Sequence, residues 1–277
     1  MATDSTPMPS HRQGDFGSFY RISLVALAVS SWISGILFAL YIFGFYLLAH
    51  TKADVEAWND VLPQLYSPNE PAAMSGMIAH FFTGAVLLFF GPIQFSNALR
   101  KNFPNIHRWI GVTYTFAGFI TGFGGLVFML VLGAAGGITM LIGFGIYGVL
   151  MMVASVQTLR YAMMRQFATH REWAIRLFAL GLGSWLYRIG YGLAFTTTGT
   201  KGMGINYSGP LDYFMDFAFF VIPLIIAELV IKGKNSPAFS FWKMYGGVAS
   251  LIATGGIWWS TVYWFEFAWK SPILKLL

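Results

Sequence analysis

The stretch WIGVTYTFAGFITGFGGLVFMLVL, residues 109–132, carries no charged side chain and decides the fold class. A helix that crosses a bilayer needs about 20 mostly apolar residues, so this stretch is long enough. On either side of it, six more stretches meet the same criterion: residues 19–50, 74–99, 138–164, 173–197, 211–231 and 244–267. The pattern predicts an all-α, polytopic transmembrane helix bundle of about seven spanning helices.

The composition of the whole chain favours the same class. It is 56% hydrophobic and only 10% charged, whereas a soluble domain carries roughly 25% charged residues. Cysteine is absent, which excludes disulfides, iron–sulfur clusters and thiolate metal sites. The net charge of +6 lies in the loops, so we expect it to orient the protein against anionic lipids and not to bind nucleic acid. Sequence patterns of phosphate loops, nucleophile elbows and zinc hydrolases are missing.

The chain divides into a polar N-terminal tail, residues 1–18, and a single bundle, residues 19–277. In the acidic loop 51–73, Trp58, Leu62, Leu65 and Tyr66 recur at helical spacing, which predicts a short amphipathic helix on the outer surface. We expect it to cover a pocket above His80. The glycine-rich residues 133–137 predict a tight hairpin. Residues 244–267 form the least certain span, an extra C-terminal helix, because glycines weaken it.

Basic loops alternate with acidic or neutral loops along the chain. This alternation predicts that the N-terminus lies inside, because cytoplasmic loops carry the excess of lysine and arginine. We therefore expect a multi-pass protein of the bacterial inner (cytoplasmic) membrane.

A polar pattern occurs twice and falls on the same side of the membrane. The first copy is Gln94, Arg100, His107, Arg108 and Trp109, and the second is Gln157, Arg160, His170, Arg171 and Trp173. In both copies the glutamine precedes the histidine by 13 positions. Free N–H groups at helix starts together with arginines suit an anion such as a lipid phosphate, a haem propionate or a substrate phosphate. The alternative is that these side chains only anchor helix ends among lipid headgroups.

The histidines are candidates for a cofactor site. His80 lies deep in the second stretch, where it would ligate haem iron, bind a quinone head group, relay protons or hydrogen-bond a neighbouring helix. Haem b held by two histidines requires either His50 with His80 near the outer ends or His107 with His170 across the inner ends. The predicted cofactor-binding residues are His80, His107, His170, His50, Arg108 and Arg171, and the first three are the predicted ligands of haem iron.

Two ion pairs are predicted among the deeper charges, since an unpaired charge in the bilayer is costly. Arg188 is expected to pair with Asp212 or Asp216 in the outer half, at a depth similar to that of His80. In the inner half Arg176 is expected to pair with Glu228, near Gln94. A purely structural role is the alternative for both pairs.

Four motifs carry a resemblance to a known family: HFFTG at 80–84, GPIQ at 91–94, HRWIG at 107–111 and HREWAIR at 170–176. Together they resemble a family of predicted bacterial and fungal membrane proteins, a domain of unknown function, over roughly residues 74–231. Arg188 falls where that family carries an arginine, whereas Ala174 stands where the family usually has methionine. The layout is similar to that of two-haem b-type membrane cytochromes. The resemblance implies a fold and a set of residues, without a reaction.

Three functions are compatible with these features. The first is a membrane redox component for electron transfer that binds haem b or quinone. The second is a non-catalytic accessory or assembly subunit, whose aromatic surface contacts lipids, pigments or other subunits of a membrane complex. The third is a small-molecule transporter, since transporters often contain repeats.

Overall fold

The computed structural model describes residues 10–48, 55–61, 64–237 and 240–276. Within these ranges all regular structure is helical, which confirms the all-α class. The α-helices are α1 (Ser10–Tyr41), α2 (Trp58–Val61), α3 (Pro71–Phe90), α4 (Asn97–Asn102), α5 (Pro104–Leu132), α6 (Gly137–Met163), α7 (Phe167–Gly181), α8 (Gly183–Thr197), α9 (Pro210–Lys234), α10 (Phe241–Trp264) and α11 (Lys270–Leu274). The π-helical segments Ile42–Leu47 and Phe265–Trp269 continue α1 and α10.

Five helical segments of the described chain are long and apolar enough to cross a membrane: Gly17–Tyr46, Pro71–Phe95, Pro104–Leu132, Gly137–Met163 and Pro210–Lys234. The other two predicted stretches are also helical. One of them is divided into α7 and α8 at Leu182, and the other corresponds to α10 with its π-helical continuation. The protein is therefore a multi-pass membrane protein, and the count of seven spans stays a prediction.

The hairpin between α5 and α6 forms as predicted. Gly133 and Gly137, which bracket it, have φ angles of 79° and 71°. Only glycine adopts this left-handed region without steric cost, so the chain reverses within a few residues. The helices α5 and α6 consequently pack side by side.

Neighbouring helices pack closely where glycines face each other. The carbonyl oxygen of Gly124 lies 2.7 Å from the position that a β-carbon on Gly76 would occupy, so the backbones of α3 and α5 are in contact. Small residues allow such approaches between membrane helices. α9 packs on α6, α7, α8 and α10, and α1 packs on α3 and α10, which closes the bundle.

The structure modifies the expectations for the N-terminal part. α1 already begins at Ser10, inside the predicted polar tail, while residues 1–9 and His50 lie outside the described residues. Among the described residues, the amphipathic segment of the acidic loop comprises the 3₁₀ turn Val55–Ala57 followed by α2, and the predicted Leu62 lies outside these residues. Trp58 does not lie on the surface, because it is 1% exposed and packs between the rings of Tyr46 and Phe81. Trp58 of this segment contacts Phe81, the residue after His80, and the predicted cover of a pocket above His80 stays a prediction.

Candidate functional site

The repeated histidines lie on facing stripes of α5 and α7. On each helix, residues spaced by four, three and four positions share one face. The α5 stripe is His107, Gly111, Tyr114 and Gly118, and the α7 stripe is His170, Ala174, Leu177 and Gly181.

Contacts between the two stripes are reciprocal. A β-carbon on Gly118 of α5 would lie 3.1 Å from Cδ1 of Leu177, and one on Gly181 of α7 would lie 2.9 Å from the hydroxyl of Tyr114. The same offset of 63 positions relates His107 to His170, Tyr114 to Leu177 and Gly118 to Gly181. This reciprocity is the pattern that a local two-fold axis between α5 and α7 produces, because the glycine of each helix meets the larger residue of the other.

Three buried polar atoms around this axis have no hydrogen-bond partner among the described residues: Nε2 of Gln94, Nδ1 of His107 and Oε1 of Gln157. Gln94 reaches α5 one turn from His107, since its Oε1 lies 3.3 Å from the position of a β-carbon on Gly111. Buried polar groups are normally hydrogen-bonded. Three such atoms, two of them on the equivalent glutamines Gln94 and Gln157, are available to a polar ligand.

His170 has a defined hydrogen bond. Its Nδ1 lies 2.9 Å from the carbonyl oxygen of Thr158 on α6. A carbonyl only accepts, so Nδ1 must carry the proton, and Nε2 keeps a free lone pair. The same arrangement prepares histidines to bind metals through Nε2.

Positive charges surround these groups at the same end of the bundle. His107 interacts electrostatically with His170 and with Arg100 on α4. Lys234, at the end of α9, interacts with Arg100 and Arg171. We call the set Gln94, Arg100, His107, Gln157, His170, Arg171 and Lys234 the basic-end cluster. Arg108, which was also predicted as a ligand-binding residue, is exposed and makes no described hydrogen bond or ion pair with the residues the structure covers.

His80 lies in the opposite half, away from the basic-end cluster. Its Nδ1 is 2.9 Å from the carbonyl oxygen of Thr121 on α5, which again leaves Nε2 with a lone pair. The hydroxyls of Thr83 and Thr121 bond each other at 2.7 Å beside it. Gly125 leaves the room for the imidazole, because a β-carbon there would lie 3.2 Å from Nδ1. With His50 outside the described residues, the predicted pairing of His50 and His80 stays a prediction.

The predicted ion pair of Arg188 with Asp212 or Asp216 is wrong. The guanidinium carbon of Arg188 lies 4.8 Å from the ring centre of Phe38 on α1, and Nη1 donates to the carbonyl of Ser184. Arg188 does interact electrostatically with His80, as their predicted similar depth requires. Among the described residues neither aspartate forms a salt bridge, because Arg188 points from α8 towards α1 while both aspartates lie on α9.

The predicted pair of Arg176 and Glu228 is present. Nε of Arg176 donates to Oε1 of Glu228 at 2.6 Å and Nη2 donates to Oε2 at 3.2 Å, so the ion pair is bidentate. The indole of Trp173 lies 5.0 Å from the guanidinium carbon. These residues stand at one end of a groove of about 590 Å³ between α6, α7 and α9. Apolar side chains line the remainder of the groove, including Leu150, Val153, Leu180, Phe220 and Leu224.

Part of this arrangement carries no signal in the sequence. The carbonyl oxygens of Thr121 and Thr158 orient two histidines, but every residue has a carbonyl, so no residue type marks the partner. No group of three or more histidine or acidic side chains converges in the described ranges. A haem b site needs only two histidine ligands, so it does not require a group of three such side chains.

Comparison with known proteins identifies the family of the chain. No curated protein and no solved structure matches the chain. The family model described as Predicted membrane protein (DUF2306) matches residues 77–231, more than half of the chain, and this range includes α4 to α8 in full and most of α3 and α9. The chain therefore belongs to the DUF2306 family of predicted membrane proteins.

Proposed function

We propose that this integral membrane protein is a redox component that binds haem b between α5 and α7, where His107 and His170 would hold the haem iron. The observation that carries the proposal is the pair of histidines on facing stripes around a local two-fold axis, next to buried polar atoms without partners. Membrane b-type haem is commonly held by two histidines from neighbouring helices.

The histidine chemistry supports this reading. The hydrogen bond from Nδ1 of His170 to the Thr158 carbonyl fixes the ring and makes Nε2 the ligating atom. Nδ1 of His107 is buried without a partner in the described structure, so it is available to a ligand. The next residues on each stripe, Gly111 and Ala174, are small, and Oε1 of Gln94 lies beside Gly111.

The charges of the basic-end cluster suit the two propionates of haem. Arg100, Arg171 and Lys234 come from three different helices, and Lys234 interacts electrostatically with each of the two arginines. Charge-assisted bonds from arginine to carboxylates are strong and directional. Bound haem would supply one-electron transfer, while the surrounding helices exclude water and hold the propionates towards one side of the membrane.

A quinone is the second candidate, and the groove between α6, α7 and α9 favours it. The groove runs along α6 from Leu150 to Ala154, and Gln157 follows one turn later. Along α7 it reaches Trp173, one turn from His170. A quinone head group accepts and donates hydrogen bonds of the kind that Gln157 and His170 offer, and an isoprenoid tail fits an apolar groove that is open to lipid.

The test is an optical spectrum of the detergent-purified protein, produced in a host supplied with haem, before and after reduction with dithionite. We expect the bands of a six-coordinate b-type haem, and their loss in His107→Ala and in His170→Ala. His80→Ala is the matched control, because it removes a histidine from the same bundle outside the basic-end cluster, and it should retain the bands. Retention of the full spectrum in both inner variants, or loss in His80→Ala, contradicts the assignment.

A colourless and folded protein points to the second candidate. In that case organic extraction followed by mass spectrometry should recover quinone from the wild type. Gln157→Ala and His170→Ala should reduce the recovered amount, whereas His80→Ala should not. A colourless protein from which no quinone is recovered excludes both redox candidates.

A further inference from the structure

Two aspartates one turn apart on α9 have opposite surroundings. Asp212 is 1% exposed and Asp216 is fully buried. The carboxylate of Asp212 accepts three hydrogen bonds: from the hydroxyl of Tyr191 at 2.6 Å and from the backbone N–H groups of Gly204 at 2.7 Å and Gly209 at 2.9 Å. Both carboxyl oxygens of Asp216 have no hydrogen-bond partner in the described chain.

The neighbours of Asp216 do not compensate a negative charge. On α6, Gly143 makes direct contact with its backbone. The titratable groups that interact with it are Tyr187 on α8 and Asp212 on its own helix, and both are neutral or negative. Arg188, the nearest cation in the sequence of α8, is directed to Phe38 on the far side of that helix. No described salt bridge involves Asp216.

The depth of Asp216 in the membrane makes an unpaired negative charge on it unfavourable. Asp216 stands six residues after the start of α9 at Pro210, which places it about 9 Å along the helix at 1.5 Å per residue. An ionised carboxylate without a partner in a membrane interior is strongly disfavoured, and such a group takes up a proton instead. Asp212, by contrast, has three donors directed at its carboxyl oxygens.

We infer that Asp216 is a proton-binding site within the membrane and holds a proton at neutral pH. The ligand is a single proton, and the inference does not depend on haem or quinone. Asp212 ties the loop of residues 198–209 to the start of α9, one turn before Asp216.

Infrared spectroscopy of the purified full-length protein tests the inference directly. The carbonyl stretch of a protonated carboxylic acid is separate from the bands of carboxylates and amides. We expect this band at pH 7 in the wild type and its loss in Asp216→Asn. Asp212→Asn is the matched control, since it removes the other buried carboxyl of the same helix, and it should leave the band in place. Absence of the band in a folded wild type, or its loss only in Asp212→Asn, overturns the inference.

Chemical modification distinguishes a proton from a metal cation on the same carboxyl. Dicyclohexylcarbodiimide reacts with protonated carboxyl groups in apolar surroundings, so peptide mass spectrometry should find the adduct on Asp216 and not on Asp212. The labelling should fall as the pH is raised and should be unaffected by added NaCl at constant pH. Protection of Asp216 by Na⁺ would show that the carboxylate holds a cation, and the proton assignment would then be wrong.

Discussion

The guanidinium of Arg188 stacks on the ring of Phe38, with 4.8 Å between the guanidinium carbon and the ring centre. This contact joins α8 to α1 without a carboxylate. A cation above an aromatic face is attracted by the ring quadrupole, and the attraction is strongest where water is excluded.

Loss of either partner should therefore destabilise the bundle. We expect Phe38→Leu and Arg188→Lys each to lower the free energy of unfolding by about 1–2 kcal/mol, because a desolvated contact of this kind is worth that much and lysine lacks the planar group that stacks. The double variant should lose less than the sum of the two. Thermal unfolding in detergent measures this, with Phe82→Leu on the exposed face of α3 as the control. Full additivity would show that the two residues do not interact.

The glycines at the crossing of α5 and α7 should not tolerate large side chains. Gly118→Leu places new atoms against Leu177 and against Ser155 Oγ, which lies 2.6 Å from the β-carbon position. Overpacking of this kind costs about 1–3 kcal/mol. Because the contacts are reciprocal, Gly181→Leu should lower the unfolding temperature similarly. Gly145→Leu is the control, since nothing lies within 4 Å of its β-carbon position. Equal unfolding temperatures for Gly118→Leu and Gly145→Leu would argue against the crossing.

The bidentate ion pair of Arg176 and Glu228 should contribute measurably to the stability of the fold. Its side chains are 23% and 43% exposed, so we expect Arg176→Gln or Glu228→Gln to cost about 1–2 kcal/mol, less than for a fully buried pair. The double variant should recover part of the loss, because it leaves no unpaired charge. The exposed pair of Glu266 and Lys270, at 3.0 Å, supplies the comparison. Lys270→Gln should change the free energy of unfolding by less than about 0.5 kcal/mol.

Single cysteines can test the predicted orientation, because the chain contains none. Met164→Cys, in the turn between α6 and α7, and Lys201→Cys, in the loop after α8, are exposed positions. A membrane-impermeant maleimide should label Met164→Cys from the inside and Lys201→Cys from the outside. If the predicted span 244–267 crosses the membrane, Leu276→Cys should react from the same side as Lys201→Cys. Labelling of Leu276→Cys from the inside would remove that last span.

Sequence patterns predicted the features that depend on length, depth or glycine content. Arg176 and Glu228 were paired correctly because both lie about one turn from the same membrane boundary on neighbouring spans. Depth alone did not suffice for Arg188. Its depth relative to the aspartates was reasonable, but the direction in which a side chain leaves its helix depends on how each helix is rotated in the bundle. That rotation follows from packing of the whole molecule, as does the break at Leu182 between α7 and α8.

The reciprocal contacts of Tyr114 with Gly181 and of Leu177 with Gly118 have a consequence for the origin of the fold. A hairpin of two helices, half of the present core, would satisfy the same contacts as a pair of identical chains, each offering its glycine to the large residue of the other. Gene duplication followed by fusion converts such a homodimer into one polypeptide with both hairpins inserted in the same direction. The two halves are then free to diverge, and the difference between Tyr114 and Leu177 is the kind of asymmetry that a homodimer could never acquire.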